Sequence, residues 1–310
     1  MMQEEITDIR RATHADMPGV TALTQRLYAI KRSEAFYAWY FLDSAIESEL
    51  YCAYDNDILV GMLGIHSRRL SNSLNCGHIV GINVAPEYAG KGAFISLAVH
   101  VSDLLERFDL LCMFANESAI VPCQYYFRMK FDGLYTFVKE LDGAIDFNGA
   151  FDAQPILPKT TFTVTEDDDR RIRFQHSEQF RQWRFGRHPL FQYTKVECDS
   201  GDFAIVKTFT DVATGVTYGD IVDLEYPRSQ TERLNVLLQA ACYYLCHAGA
   251  HKVTLWATPD SRLRSVALQY DFHEVANKTN WGISIQNGGI GTLASSLSNW
   301  ELYQSDATNY

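Results

Sequence analysis

The feature that most restricts what this chain can fold into is a motif that occurs twice. Glu34-x-Phe36-x-x-Trp39-x-Phe41 returns as Glu178-x-Phe180-x-x-Trp183-x-Phe185, 144 positions further on (34 to 178). Later in each half a helical pattern runs into a phenylalanine, Phe131 and then Phe272, 141 positions apart (131 to 272). Two nearly equal offsets, with the same order of helix, strand, helix and strand behind each motif, point to a tandem duplication. Two amphipathic helices with similar core demands are the plainer alternative. A linker-like stretch from Asp142 to Lys159, with Gly143, Gly149, Pro155 and Pro158, separates the copies, and the acidic run Glu166-Asp167-Asp168-Asp169 follows it. The predicted halves are residues 1–145 and 146–310 of the 310-residue chain.

Periodicity fills in the halves. A short strand is expected at 6–10, and a helix from Asp16-Met17-Pro18 to about Tyr28, with proline in its first turn. Asp55-Asn56-Asp57 lies between two apolar runs and predicts a hairpin. Gly77 to Val84 and Leu110 to Ala115 predict strands on either side of a helix from Ala93 to Phe108, whose apolar residues fall on one face. A further helix is expected from Ser118 to Lys130, with Pro122 near its start. In the second half strands are predicted at 203–208, 217–224, 252–257 and 281–285, and helices at 231–248 and 259–270. The order reads as α/β, each half a central mixed sheet flanked by helices.

Charge and composition remove several function classes. With 27 Lys+Arg against 38 Asp+Glu, the net charge of −11 repels phosphate backbones and anionic lipid, so neither nucleic acid nor a membrane is the expected partner. The start, Met1-Met2-Gln3-Glu4-Glu5, has two acids and no long apolar run, which predicts no signal peptide, and no stretch is apolar enough to span a bilayer. Seven cysteines without a Cys-x-x-Cys pair read as buried thiols of a reduced, cytoplasmic protein. His247 and His251 are four apart, but Gly249 breaks the helix between them, so no metal is expected.

The chemistry concentrates in Ile82-Asn83-Val84-Ala85-Pro86-Glu87-Tyr88-Ala89-Gly90-Lys91-Gly92-Ala93-Phe94. A strand ends, proline breaks it, two glycines turn the chain and a helix begins. Amides at such a turn, with the positive end of the helix dipole, form a cradle for pyrophosphate, and glycine lets backbone approach phosphate oxygen. The Walker spacing and the dinucleotide fingerprint are both absent.

This segment resembles the signature of the GNAT acyltransferase superfamily, Val-x-Pro-x-x-Arg/Gln-Gly-x-Gly-x-Gly/Ala, as it stands from Val84 to Phe94. Ala89 replaces the usual Arg or Gln, and Phe94 the usual Gly or Ala. The likeness continues through Asn116-x-x-Ala119 to Tyr126-Phe127-Arg128-Met129-Lys130-Phe131, where Lys130 replaces a glycine. It covers residues 6–140 and, more faintly, 174–285, which makes the fold a tandem of GNAT-like halves. The resemblance implies an acyl-CoA co-substrate, with pantetheine beside Asn83 and Val84 and near Asn116. Residues 89–94 (Ala89, Gly90, Lys91, Gly92, Ala93 and Phe94) would hold pyrophosphate, and Tyr126 would protonate the leaving thiolate as general acid. The counterpart turn of the second half, Glu225-Tyr226-Pro227-Arg228-Ser229-Gln230, has no glycine, so that half is expected to bind no CoA and to wall the acceptor cleft. His66, Glu117, Asp223 and Glu225 are candidates for the base that takes the amine proton.

The acceptor that the resemblance implies is a small-molecule amine. Among tandem relatives, the aminoacyl transferases need tRNA, which the charge disfavours. The chain looks similar to N-acyltransferases acting on dTDP-amino sugars, in which Trp39, Trp183, Arg184, Arg187 and Glu225 would contact a nucleotide sugar. The 17 Tyr, 18 Phe and 5 Trp supply apolar faces for such a ligand. A mycothiol-synthase-like N-acetyltransferase and a non-catalytic acyl-CoA-binding module are the alternatives.

Overall fold

The computed structural model describes residues 8–29, 31–141, 143, 145–163, 171–287 and 291–307. The acidic run 166–169 lies outside them. The chain divides into two compact units, residues 1–132 with 280–295, and residues 133–279 with 296–310.

In unit 1 the strands are β1 (Asp8–Arg11), β2 (Ser48–Asp55), β3 (Ile58–Arg69), β4 (Asn75–Val84) and β5 (Leu110–Ala115). The sheet is completed by the last six residues of β12 (His273–Ile285), which pair antiparallel with β5. Helices α1 (Met17–Leu27), α2 (Glu34–Tyr37), α3 (Ala93–Leu105), α4 (Glu117–Tyr126) and α8 (Gly291–Ala294) belong to the same unit. Asn56 takes φ 54° at the β2–β3 turn, the left-handed region that asparagine tolerates, so the predicted hairpin forms there. One core joins Ile65, Ile79, Leu111 and Met113 of the sheet to Leu97, Val101 and Leu105 of α3. Each such side chain contributes roughly 1.5–3 kcal/mol.

Unit 2 repeats the plan with β6 (Lys130–Glu140, from Gly133 on), β7 (Phe151–Pro155), β8 (Thr194–Cys198), β9 (Phe203–Thr210), β10 (Thr217–Glu225) and β11 (Lys252–Ala257). Its helices are α5 (Glu178–Arg181), α6 (Thr231–His247) and α7 (Arg262–Gln269). Unit 1 runs in the order β1-β2-β3-β4-β5-β12, and unit 2 in the matching order β7-β8-β9-β10-β11-β6. In each, one pair is parallel, β4–β5 and β10–β11. Leu234, Leu237, Leu238 and Leu245 of α6 close the second core against Val206, Ile221 and Val253.

The repeated motif folds the same way twice. Ser33 and Ser177 cap their helices by accepting from the Phe36 and Phe180 amides, at 3.3 and 3.1 Å. In both copies the short helix then widens into a π-turn, Ala38–Leu42 and Gln182–Gly186. Several elements differ from the sequence reading. Helix α4 ends at Tyr126, not Lys130, because Arg128 takes φ 53° and turns the chain into β6. The left-handed residue is therefore Arg128, and Lys130, already extended, has no need of glycine's freedom. Helix α7 starts at Arg262 behind the Ser261 cap, and β12 begins eight residues before Trp281, at His273. Strands β6, β7 and β8 have no counterpart in the sequence reading.

Candidate functional site

In unit 1 the parallel pairing of β4 with β5 lasts three rows, Cys76 with Leu110, Gly77 with Leu111 and His78 with Cys112. Beyond His78 the two strands part. A second irregularity lies on the other side of β4. Register with β3 slips by one residue between Val80 and Asn83, a bulge centred on Gly81, which has φ 61°. A Cβ at Gly81 would lie 2.8 Å from the Phe41 ring, so glycine is required there by conformation and by space. Phe41 belongs to the repeated motif, and its ring braces the bulge.

Past the bulge β4 leads to the glycine turn. Gly90 has φ 73° and Gly92 φ 92°, and a Cβ built on either meets nothing within 4 Å. Gly92 caps α3, no side chain caps that end, and the first amide to find a helical acceptor is that of Ser96, on the Gly92 carbonyl at 2.9 Å. The amides of Ala93, Phe94 and Ile95 thus head the helix at its positive pole, ahead of the first helical hydrogen bond. The amides of Ala89 and Lys91 close the turn instead, on Pro86 and Tyr88 at 3.2 and 3.0 Å. Within the run 89–94 that the motif outlines, the Ala89 and Lys91 amides are thus engaged by the turn itself. Asn83 is buried; its Oδ1 accepts from the Tyr28 hydroxyl at 2.6 Å and its amide donates to the Gly81 carbonyl at 3.2 Å. Tyr28, which the sequence reading names only as the end of a helix, is tied to the strand beside the opening, and partial burial pushes its phenol pKa up. Val84 ends the strand half-buried.

Tyr126, in the last turn of α4, is half-buried, and among the described residues no protein group hydrogen-bonds its hydroxyl. Its ring meets Phe94 edge-on, centroids 5.6 Å apart at 76°, and Tyr125 at 5.0 Å. Phe94 therefore links the head of α3 to Tyr126, which accounts for a large ring where the motif prefers glycine or alanine. Asn116 is the exposed N-cap of α4; its Oδ1 accepts from the Ala119 amide at 3.0 Å and the Ser118 hydroxyl at 2.8 Å, which leaves its amide hydrogens for a ligand.

Four of the five residues assigned to the acceptor are buried within their own units. Trp39 is buried among Phe36 and Tyr40, and Trp183 against Phe180. Arg184 is 2% exposed and donates to the carbonyls of Ser305 and Ala307, at 3.3 and 2.6 Å. Glu225 is 1% exposed and accepts from Arg181 at 2.5 Å. Of the five, Arg187 alone is exposed. Among the base candidates, His66 is buried opposite His78, Glu117 is exposed in the first turn of α4, and Asp223 is buried against His176 and Arg181. Among the described residues no group of three or more His, Cys, Asp or Glu could hold a metal ion, and no helix is long and apolar enough to cross a membrane.

A parallel strand pair that parts after three rows, with a helix behind a glycine turn and no side chain capping it, defines unit 1 as an α/β unit with one opened pair. Residues 8–113 match the acetyltransferase (GNAT) domain family. A search of curated proteins finds no relative by sequence. Among solved structures, the fold is similar to a putative acetyltransferase from Pyrococcus horikoshii, with TM-score 0.62 and 12% identity over 98% of this chain and 97% of that one. It is also similar to a tandem GNAT protein from the clavulanic acid biosynthesis pathway, TM-score 0.60, 12% identity, covering 90% and 98%. A GCN5-related N-acetyltransferase from Anabaena variabilis gives TM-score 0.61 at 12% identity, covering 90% and 73%. At these identities the structures share the fold.

Proposed function

We propose that unit 1 binds acyl-CoA and transfers the acyl group to the amine of a small molecule. The observation that carries this reading is the coincidence, in one unit, of the splayed strands, the open amide head of α3 and the Tyr126 phenol joined to that head through Phe94. Acyl-CoA supplies a thioester whose carbonyl carbon accepts the amine lone pair while the C–S bond breaks. The Ala93, Phe94 and Ile95 amides hold the diphosphate, with Gly90 and Gly92 keeping the approach clear. The arm of β4 beyond His78, Asn83 and Val84 included, takes the place of a strand partner for pantetheine. Tyr126 gives its proton to the departing sulfur, where a phenol and a thiol are close enough in pKa to share it, and the proton lost by the amine nitrogen passes through water to restore the phenol.

For the acceptor, a nucleotide-linked amino sugar is the favoured class. It rests on the resemblance of the Trp-x-Phe elements and on Arg187, whose exposed guanidinium suits a diphosphate even on an acidic protein. The test is release of free thiol from acetyl-CoA with dTDP-linked 3-amino and 4-amino dideoxyhexoses, a cysteinyl-glucosamine inositol, and simple polyamines. Turnover of the sugars supports the full reading. Preference for either of the others overturns the acceptor and keeps the acyltransferase. Bound CoA with no turnover of any amine points to an acyl-CoA-binding module.

A further inference from the structure

Where the β4–β5 pair of unit 1 opens stands a ring that no motif marks. Five of the six side chains of β5 are buried, and the exception is Phe114, which is half-buried. It lies two residues past Cys112, the last β5 position paired with β4, so it stands on the same face as Cys112 where the strands have begun to part. Its neighbours hold it there. Trp281 of β12 is its direct cross-strand partner, with ring centroids 4.8 Å apart, and is 1% exposed. His78, at the apex of the splay and equally buried, meets it edge-on at 5.6 Å, and His66 lies behind His78 at 6.3 Å. The Phe114 ring is thus the accessible front of a packed aromatic wall.

The length of the open arm says what reaches that wall. Continuing the Cys112–His78 register, Phe114 stands level with Val80, four residues of strand from Val84, about 13 Å. With diphosphate past Val84, at the head of α3, a pantetheine arm spans that length and brings the thioester up to the ring. We propose that Phe114, buttressed by Trp281 and His78, ends the donor cleft and restricts the donor to short acyl groups of two or three carbons. The inference rests on the acyl-CoA reading given above. A longer chain would have to displace a ring wedged between two buried neighbours, and in a filled apolar pocket each methylene is worth roughly 10–200-fold in discrimination.

The experiment is calorimetric titration of the full chain with CoA, acetyl-CoA and hexanoyl-CoA, in the absence of any amine. The expected result is acetyl-CoA binding at least about tenfold tighter than hexanoyl-CoA. Phe114→Ala should shift the ratio toward hexanoyl-CoA by about tenfold or more, with the affinity for CoA itself unchanged. If that variant fails to fold, Phe114→Leu, which keeps most of the packing, should shift the ratio in the same direction by less. Equal binding of the two thioesters by the parent, or an unchanged ratio in whichever variant folds, overturns the proposal and leaves the acyl-CoA reading standing. Failure to bind CoA in any form overturns both.

Discussion

The two units share a strand order, and each has one splayed parallel pair, yet past the apex the two splays are furnished in opposite ways. In unit 1 pairing stops at His78 with Cys112, and beyond it Gly81, Ile82 and Val84 of β4 and Phe114 of β5 keep surface. In unit 2 pairing stops at Asp220 with Thr254, and every residue of β10 from Ile221 to Glu225 is buried. The chain's own residues 300–307 account for this. Gln304 donates to the Thr254 hydroxyl of β11 at 2.9 Å, and Asp306 is joined through His176 to Asp223 of β10, at 2.8 and 3.1 Å. The turn before α6 is filled too. Arg228 is buried, pairs with Glu301 at 3.3 Å and donates to the carbonyls of Tyr226 and Leu224. One copy of the duplicated cleft keeps bare amides and an open arm. In the other, charges closed by the chain itself occupy the same places.

The contrast is broken most severely at Arg181, which is 1% exposed and bridges Asp223 and Glu225. Arg181→Ala removes the cation that bridges two buried carboxylates, with His176 still on Asp223, and should cost about 3–5 kcal/mol in a urea unfolding titration. A cost below about 1 kcal/mol would show that unit 2 does not depend on its internal charges. The next largest effect belongs to unit 1. Tyr126→Phe should lower kcat about a hundredfold while CoA affinity, measured by titration, is unchanged, because the ring keeps its contact with Phe94. Turnover equal to the parent's across the pH range would make Tyr126 a packing residue and water the acid.

The comparison also shows how much the sequence makes legible. The glycine turn, the hairpin at Asn56 and most helices and central strands declare themselves through local chemistry, and the structure places them within a few residues. What is not local is lost. That residues 280–285 complete the sheet of unit 1 cannot be read from periodicity, because a strand pattern does not name its partner. Strand β7 lies at a sheet edge, mostly exposed and ending in Pro155, so it reads as linker. Asp223 and Glu225 stand out as acids at a strand end, but His176 is 47 residues from Asp223, and Asp306 is 130 residues beyond His176. Only the fold reveals that these groups neutralise one another. Phe114 and Tyr28 carry no motif at all, and their places follow from register.

A smaller effect sharpens the comparison through pH. Burial disfavours the His176 imidazolium, but the carboxylates of Asp223 and Asp306 outweigh it and the pKa is raised. A raised histidine contributes stability that is fully present below its unfolded pKa near 6.5 and is lost as pH rises through the folded value. Asp223 works in the other direction. Burial raises its pKa, but His176 and Arg181 prevail and hold it below the ordinary range, so its contribution is present above pH 4 or so and fades as pH falls through the folded value. Unfolding stability should therefore decline above about pH 6.5, by at most about 1.4 kcal/mol per pH unit from this histidine. The decline should vanish in His176→Gln, and persistence of the same slope in that variant would remove His176 from the account.

The smallest effect concerns the two helix heads. Gly92 has φ 92° and open space where a Cβ would go, so Gly92→Ala strains the backbone by about 1 kcal/mol without a steric clash. The strain and the added methyl both fall at the amides that would face diphosphate, and CoA affinity should drop by about three- to tenfold. The matching position before α6 is Gln230, with φ −108° and its amide bonded to the Pro227 carbonyl at 3.0 Å. Gln230→Gly gives unit 2 the residue type its turn lacks, but Arg228 and Glu301 still fill the ground in front of it. Titration of that variant should show one CoA per chain, as in the parent. A second site in Gln230→Gly would mean that glycine, and not the internal charges, separates the two clefts. An unchanged affinity in Gly92→Ala would mean that the phosphates are held somewhere other than the head of α3.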